Sequence, residues 1–354
     1  MTRFLQDILR QPHEMRGAIE FLSGAGRARL EEAANAIRNA RATYLTGIGA
    51  SWNAGLSAST LFHMGARAVY LQDAAELLHF SALPPGAVVV VISRSGRSIE
   101  IVKLLAKARD CGATVIGITN SEDGPLAREA PIALVVPATP DHGISVNTYS
   151  TLVIAAAALA SATVGAFDSD LVRSMSVALS DTSRILSTWH QQLAETTWLK
   201  PSAVYYFLAR GSSIGSCHEA RLLWEEGVKS PATAMGTSTF RHGPQEMTKE
   251  GTRFGIWIDG ESMREQDLAV AGDLRGLGAS VMLIGQRLPE DAADLVFQLP
   301  KVPANWQFLI DIIPAQLAAE SLARLSGVDP DTFNICSYVV EDESGLLGKK
   351  VAGR

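Results

Sequence analysis

Apolar residues fall into short blocks along the chain, and the blocks alternate in kind. Val88–Ile92 reads VVVVI, and shorter apolar runs recur at 43–48, 68–71, 113–119 and 132–136. Runs this short and this rich in β-branched residues read as buried strands. Between them the apolar spacing changes to three and four, the helical period. It predicts helices through Leu56, Thr60, Phe62 and Met64, over 73–80, over 99–108, and from near Tyr149. Gly65 and Gly112 are predicted to end two of these helices in the left-handed conformation. Residues 1–40 read as helices, with the proline of QPHEM near a helix start. Strands alternating with helices predict a parallel, doubly wound sheet.

The pattern then repeats. A strand at 204–209 leads into RGSSIGSCHEA, as the strand at 43–48 leads into GIGASWNAGLS. The run 254–258 corresponds to Val88–Ile92, DLAVAGDLRGLGASVMLIG to VKLLAKARDCGATVIGIT, and DLVFQLP to IALVVP. The offset is about 165 residues, which marks an internal duplication. The chain is therefore expected to be α/β, with two doubly wound, flavodoxin-like three-layer αβα domains. The expected limits are N-terminal helices at 1–40, a first domain at 41–168 and a helical connector at 169–199. A second domain at 200–330 and a tail at 331–354 follow. In such sheets ligands bind outside the carboxyl ends of the strands.

Composition narrows the function classes. The 354 residues are 47% hydrophobic and 19% charged, with a formal net charge of −6. That balance suits a two-domain globular protein and argues against a nucleic-acid partner, which usually meets a basic patch. Cys111, Cys217 and Cys336 are far apart and form no CxxC, and the seven histidines form no HExxH, so no metal site is expected. The start, MTRFLQDILRQPHEM, is amphipathic and contains acids, unlike a secretory signal. The alanine-rich run 151–166 reads as a buried core helix rather than a membrane span. A cytoplasmic protein without membrane contact is expected.

Three stretches carry candidate chemistry. GIGASWNAG (47–55) places glycines between a strand and a helix, but the third glycine of GxGxxG is missing. A sugar or phosphate turn fits it better than a dinucleotide turn, because Ser51 recurs as Ser212 and Ser213. SRSGRS (93–98) follows the valine strand. Ser95 or Ser98 can cap the next helix, but capping explains one serine, not Ser93, Ser95 and Ser98 together. Backbone N–H groups and hydroxyls at a helix start suit an anion. WEEGVKS and FRHGPQEM supply Glu225, Glu226 and His242. Consecutive helical glutamates point about 100° apart, so one can face solvent and the other a pocket. A carboxylate and an imidazole are the usual tools for moving protons on a sugar. A surface helix and a loop histidine is the plain alternative.

Taken together, the QP-containing first helix, GIGASWNAG, SRSGRS, GISVNTYST and the spacing from Glu226 to His242-Gly243-Pro244 resemble the SIS (sugar isomerase) family. The resemblance covers essentially the whole chain. It is to the tandem isomerase half of glucosamine-6-phosphate synthase and to stand-alone phosphosugar isomerases and deaminases. It implies that Ser51, Ser93, Arg94, Ser95 and Ser98 bind the phosphate and sugar, with Arg94 replacing the family's glutamine. It implies that Glu226 shuttles the C1/C2 proton. His242 is implied to open the ring, reaching in the synthase into a neighbouring subunit, so a homodimer with a shared active site is implied. Two departures stand out. Leu223 replaces a catalytic-site lysine, and Ser337 or Tyr338 falls where a Schiff-base lysine is found, leaving Lys349 and Lys350 in a tail, 331–354, that the resemblance implies closes over the site. No cysteine follows Met1, so no glutaminase domain and no glutamine-dependent amination are expected.

The expectation is thus a cofactor-free, metal-free enzyme acting on a hexose 6-phosphate, foremost an amino-sugar phosphate. It would move a proton between C2 and C1 and release ammonia. The alternatives are a ketose/aldose isomerase, a deglycase acting on a sugar–amine adduct, and a non-catalytic phosphosugar sensor.

Overall fold

The computed structural model describes residues 1–343, 345 and 346. Lys349 and Lys350 lie outside the described residues. The chain divides into two compact units. One is Gly17–Phe167 with the tail from Thr332, and the other is Met1–Arg16 with Asp168–Asp331. The first helix, α1 (Arg3–Ser23), runs through the division.

In the unit from Gly17 the elements follow in order: α2 (Arg27–Asn39), β1 (Thr43–Gly47), α3 (Ala50–Met64), β2 (Tyr70–Asp73), α4 (Ala74–His79), β3 (Val88–Ile92), α5 (Ile99–Asp110), β4 (Thr114–Thr119), α6 (Pro125–Glu129), β5 (Ile132–Val135) and α7 (Asn147–Thr163). The five strands are parallel in the order β2-β1-β3-β4-β5. All five residues of β3 are buried, as expected of a strand covered on both faces. Val89 and Val91 pack with Ile101, Leu104, Leu105 and Ala108 of α5. Each Val, Ile or Leu among them contributes about 2 kcal/mol relative to exposure. Every residue of α7 is buried, so the alanine-rich run is a core helix. Among the described residues no helix is long and apolar enough to cross a membrane.

The other unit continues with α8 (Ser169–Glu195), β6 (Tyr205–Ala209), a 3-10 turn (Gly211–Ser213), α9 (Ile214–Leu223), a π-helical turn (Trp224–Val228), β7 (Ala232–Gly236), α10 (Thr237–Phe240), β8 (Arg253–Trp257), α11 (Arg264–Gly276), β9 (Ser280–Gly285), β10 (Leu295–Gln298) and α12 (Ile313–Leu325). Its five strands are also parallel, ordered β7-β6-β8-β9-β10. Renumbered from the start of each sheet, the two orders are the same. The strand matched by sequence to β3 is β8, and it holds the same central place.

Several expectations need correction. Pro12 lies inside α1, not near a helix start. It removes one backbone bond to the Ile8 carbonyl. The helix persists because Ile8, Gln11, Met15, Ala18, Ile19 and Leu22 are fully buried at helical spacing. Gly65 is not left-handed, with φ −81°, and it is Ala66 that takes φ 55°. Gly65 serves close packing instead, since a Cβ there would lie 2.4 Å from Val164 Cγ1. Gly112 does take φ 69°. Strand β2 starts two residues later than expected and ends at Asp73, whose side chain caps α4 by accepting from the Ala75 N–H at 2.9 Å. Glu225 and Glu226 lie on a π-helical turn, not on an α-helix.

Candidate active site

The chain order reverses between β1 and β3, and the loops after these two strands open on the same edge of the sheet. After β1, Gly49 takes φ 56°, which a side chain would disfavour. At Gly47 a Cβ would sit 2.8 Å from the Ser51 carbonyl carbon, so the turn closes tightly onto Ser51 in the first turn of α3. After β3, the Ser93 hydroxyl accepts from the Gly96 N–H at 3.1 Å, and Ser95 Oγ accepts from the Arg97 N–H at 3.2 Å. Gly96 takes φ 62°. The Arg94 carbonyl accepts from Thr119 Oγ1 (3.0 Å) and from the Asn120 N–H (3.2 Å), which pins the turn to β4. A Cβ at Gly124 would lie 2.3 Å from the Ser95 oxygen, so the next loop also presses on it. Ser98 occupies the N-cap position of α5 but makes no side-chain cap bond. The serines thus divide their work. Ser93 and Ser95 shape the turn, and Ser98 places a hydroxyl at the helix start.

Arg94 is committed to other groups. Its Nη1 donates to Ser145 Oγ at 2.9 Å and its Nη2 to the Tyr338 carbonyl at 2.7 Å. The guanidinium carbon lies 3.8 Å from the Tyr338 ring centroid. The tail continues across the start of α5, where Val340 O accepts from the Ile99 N–H at 3.1 Å. Glu343 ends this stretch beside Lys103 and His79.

In the other unit, Trp224 anchors the π-helical turn. It is fully buried against Trp198, Tyr205 and Phe207, with ring centroids 4.7–6.4 Å away. An inserted residue in a helix re-aims the side chains after it. Glu225 is exposed and held by Arg221 at 2.6 Å, whereas Glu226 is half-buried. The two glutamates are therefore distinguished, as consecutive helical positions allow. Lys229 closes the turn with φ 57°, its N–H donating to the Trp224 carbonyl and its Nζ to the Glu226 carbonyl. Burial lowers its pKa, against the opposing pull of Glu226 and Asp329.

His242 is exposed beyond α10, its N–H donating to the Thr239 carbonyl at 3.1 Å. Glu226 precedes β7 and His242 follows it. The five residues of β7 separate the two by about 16 Å of extended chain. The structure brings Ser51 and the 93–98 turn to one edge of one sheet. Glu226 and His242 flank β7, an edge strand of the other sheet, one before it and one after it along the chain.

Two groups escaped the sequence reading. Lys229 had one signal: no glycine or asparagine stands where the helix must end. Asp311 had another, its apolar flanks. It is fully buried beside Ser213, Ser216 and Gln307, yet neither carboxyl oxygen has a hydrogen bond of ordinary geometry among the described residues. Burial raises its pKa to about 7, and the neighbouring hydroxyls and amide offset only part of that rise. Among the described residues no group of three or more His, Cys, Asp or Glu is arranged to hold a metal ion.

Comparison with known proteins agrees with this architecture. Residues 36–163 match the SIS domain family. The glutamine–fructose-6-phosphate aminotransferase (isomerizing) of Pyrobaculum aerophilum is 25% identical over 337 residues, covering 92% of this chain and 55% of that protein. That of Aeropyrum pernix is 28% identical over 324 residues, covering 85% and 51%. The chain spans about half the length of these curated relatives. Among solved structures, the C-terminal domain of glucosamine-fructose-6-phosphate aminotransferase from Francisella tularensis superposes with a TM-score of 0.82 at 18% identity, covering 93% of this chain and 97% of that one. Glucosamine-6-phosphate deaminase from Thermotoga maritima gives 0.80 at 21%, covering 96% and 99%. Tagatose-6-phosphate ketose/aldose isomerase from Escherichia coli gives 0.80 at 18%, covering 94% and 95%. At such identities the structural likeness is one of fold.

Proposed function

We propose that this chain, whose residues 36–163 match the SIS domain family, is a phosphosugar enzyme that isomerises and deaminates an amino-hexose 6-phosphate. The observation that carries the reading is the turn at 93–98. It lies at the point where strand order reverses, is braced from β4 and from Gly124, and presents the Ser98 hydroxyl at the start of α5 without a capping bond. Such a turn offers donors to a phosphate. Ser51, Ser93, Ser95 and Ser98 are assigned to the substrate. Arg94 is assigned to holding the tail, given its two bonds to Ser145 and Tyr338.

His242 assists opening of the sugar ring. Glu226 then removes the proton from C2 as the C1 aldehyde oxygen takes up a proton, giving an enolamine with a C1–C2 double bond, and returns its proton to C1 as the nitrogen gives one up. The product is an imine at C2. Water adds to it, the carbon–nitrogen bond breaks, and a ketose phosphate and ammonia leave. Because β7 separates Glu226 from His242 within one chain, the His242 that serves a given Glu226 is assigned to a second copy. The working form is a homodimer.

The deciding measurement is ammonia release from glucosamine 6-phosphate. Wild-type protein is expected to release one ammonia per ketose phosphate formed. Glu226→Gln is expected to lower kcat by at least a hundredfold, the usual contribution of a general acid–base group, while substrate binding stays close to wild type. Isomerisation of unaminated hexose phosphates without ammonia release would replace deamination by plain isomerisation. Binding without turnover across amino and unaminated sugar phosphates would make the chain a sensor. Unchanged turnover in Glu226→Gln would remove Glu226 from the proton-transfer role.

A further inference from the structure

The tail puts backbone acceptors onto the donors of the phosphate turn. The first N–H groups of a helix have no partner within it and bond to whatever stands outside. At α5 the N-cap residue, Ser98, makes no side-chain cap bond. The first helical N–H, that of Ile99, donates instead to the Val340 carbonyl at 3.1 Å. Arg94, between Ser93 and Ser95, is drawn the same way. Its Nη2 donates to the Tyr338 carbonyl at 2.7 Å, and its guanidinium lies 3.8 Å from the Tyr338 ring centroid. Apolar burial does little to hold this segment against the turn. Tyr338 is 48% exposed and Val340 43%, and every residue from Glu341 to Glu343 is exposed. Exposed, weakly packed segments are the first to open.

We propose that residues 338–343 form an autoinhibitory strap, in which the Val340 carbonyl holds the Ile99 N–H that the substrate's phosphate needs, and phosphate binding lifts the strap. This deepens the function proposed above and rests on it for the identity of the phosphate turn. A carbonyl oxygen and a phosphate oxygen accept the same hydrogen bond, so the two compete for one N–H. The phosphate wins because it is charged. A charge-assisted hydrogen bond is about twice as strong as a neutral one, and the positive end of α5 favours an anion. Lifting the strap also releases Arg94 Nη2, while Nη1 stays on Ser145 at 2.9 Å and keeps the guanidinium beside the turn. A tail that closes over bound sugar would behave in the opposite way, since a lid is ordered by its ligand and a strap is loosened by it.

Amide exchange of the full-length protein, followed with and without saturating inorganic phosphate, tells strap from lid. Exchange over 338–343 is expected to quicken about tenfold when phosphate binds, while β3 and β4 keep their protection. Slower or unchanged exchange there, with phosphate bound, overturns the strap. Tyr338→Gly takes the ring off Arg94 and loosens the backbone that carries both carbonyls. A closed strap lowers apparent affinity by the fraction of molecules left open, so this variant should bind phosphate about threefold to tenfold more tightly than wild type. Equal or weaker binding also overturns the proposal. Ser98→Ala distinguishes failure of the strap from failure of the site. It should weaken phosphate binding about tenfold, the effect of losing one hydrogen bond to a charged group. If Ser98→Ala binds phosphate as wild type does, the turn is not the phosphate site, and the strap falls with it. If binding falls in Ser98→Ala but the tail of the wild type does not respond to phosphate, the turn stands and the strap alone falls.

Discussion

Asp311 shows how far a single residue can depart from what its letter suggests. Its carboxyl is fully buried, and burial lifts its pKa from 3.8 to about 7. The folded state therefore holds a proton that the unfolded chain gives up near pH 4. Stability linked to this proton is fully present below the unfolded pKa and is lost as pH rises through about 7. Asp311→Asn keeps the shape and removes the titration. Denaturant melts at pH 5.5 and pH 8 should show the wild type losing a few kcal/mol over that interval and Asp311→Asn losing much less. Equal losses in both proteins would place the buried proton elsewhere. Asp311 stands between FLI and IIP, an apolar setting that the sequence reading passed over. Its meaning comes from Ser213, Ser216 and Gln307, which only the fold brings to it. Ser93, Ser95 and Ser98 were legible because their neighbours in space are also their neighbours in sequence.

Elements follow a similar rule of locality. Strands β3 and β4 were readable because covering a strand on both faces demands consecutive apolar, β-branched residues, and Val88–Ile92 supplies five. Strand β7 was not, because it lies at the edge of its sheet, is half-buried throughout, and reads ATAMG. The π-helical turn escaped as well, since nothing in WEEGV signals an inserted residue. The tail was read, by resemblance, as a segment closing over the site. In the structure it forms an irregular strap across the start of α5, held by Arg94 on Tyr338 and by the Val340 carbonyl on the Ile99 N–H. The exposed pair of Lys103 with Glu343 adds little. Arg94→Ala removes a charged hydrogen bond and a cation–π contact, together worth about 1–2 kcal/mol. Amide exchange from Tyr338 to Glu343 should then quicken about tenfold while β3 and β4 keep their protection. Unchanged exchange in the tail would show that Arg94 does not hold it.

At the scale of the whole molecule, the two sheets share one strand order, as an internal duplication would give, but their turns differ in chemistry. The turn after β3 keeps three serines, whereas the turn after β8 carries Asp259, whose carboxylate accepts from the Met263 N–H at 2.8 Å. Glu226 and His242 lie on either side of β7 along the chain. The function proposed above has each copy lend its His242 to the other's Glu226. Two inactive variants then test the arrangement. Glu226→Gln and His242→Asn should each be inactive when expressed alone. Co-expressed, they form mixed dimers in which one of the two sites holds an intact glutamate from one chain and an intact histidine from the other. Random pairing gives activity of about a quarter of wild type, as two-fold symmetry requires. If the mixture stays at the level of the separate variants while mixed dimers are shown to form, both residues must serve from the same chain. The assignment of His242 to ring opening across the dimer would then fall.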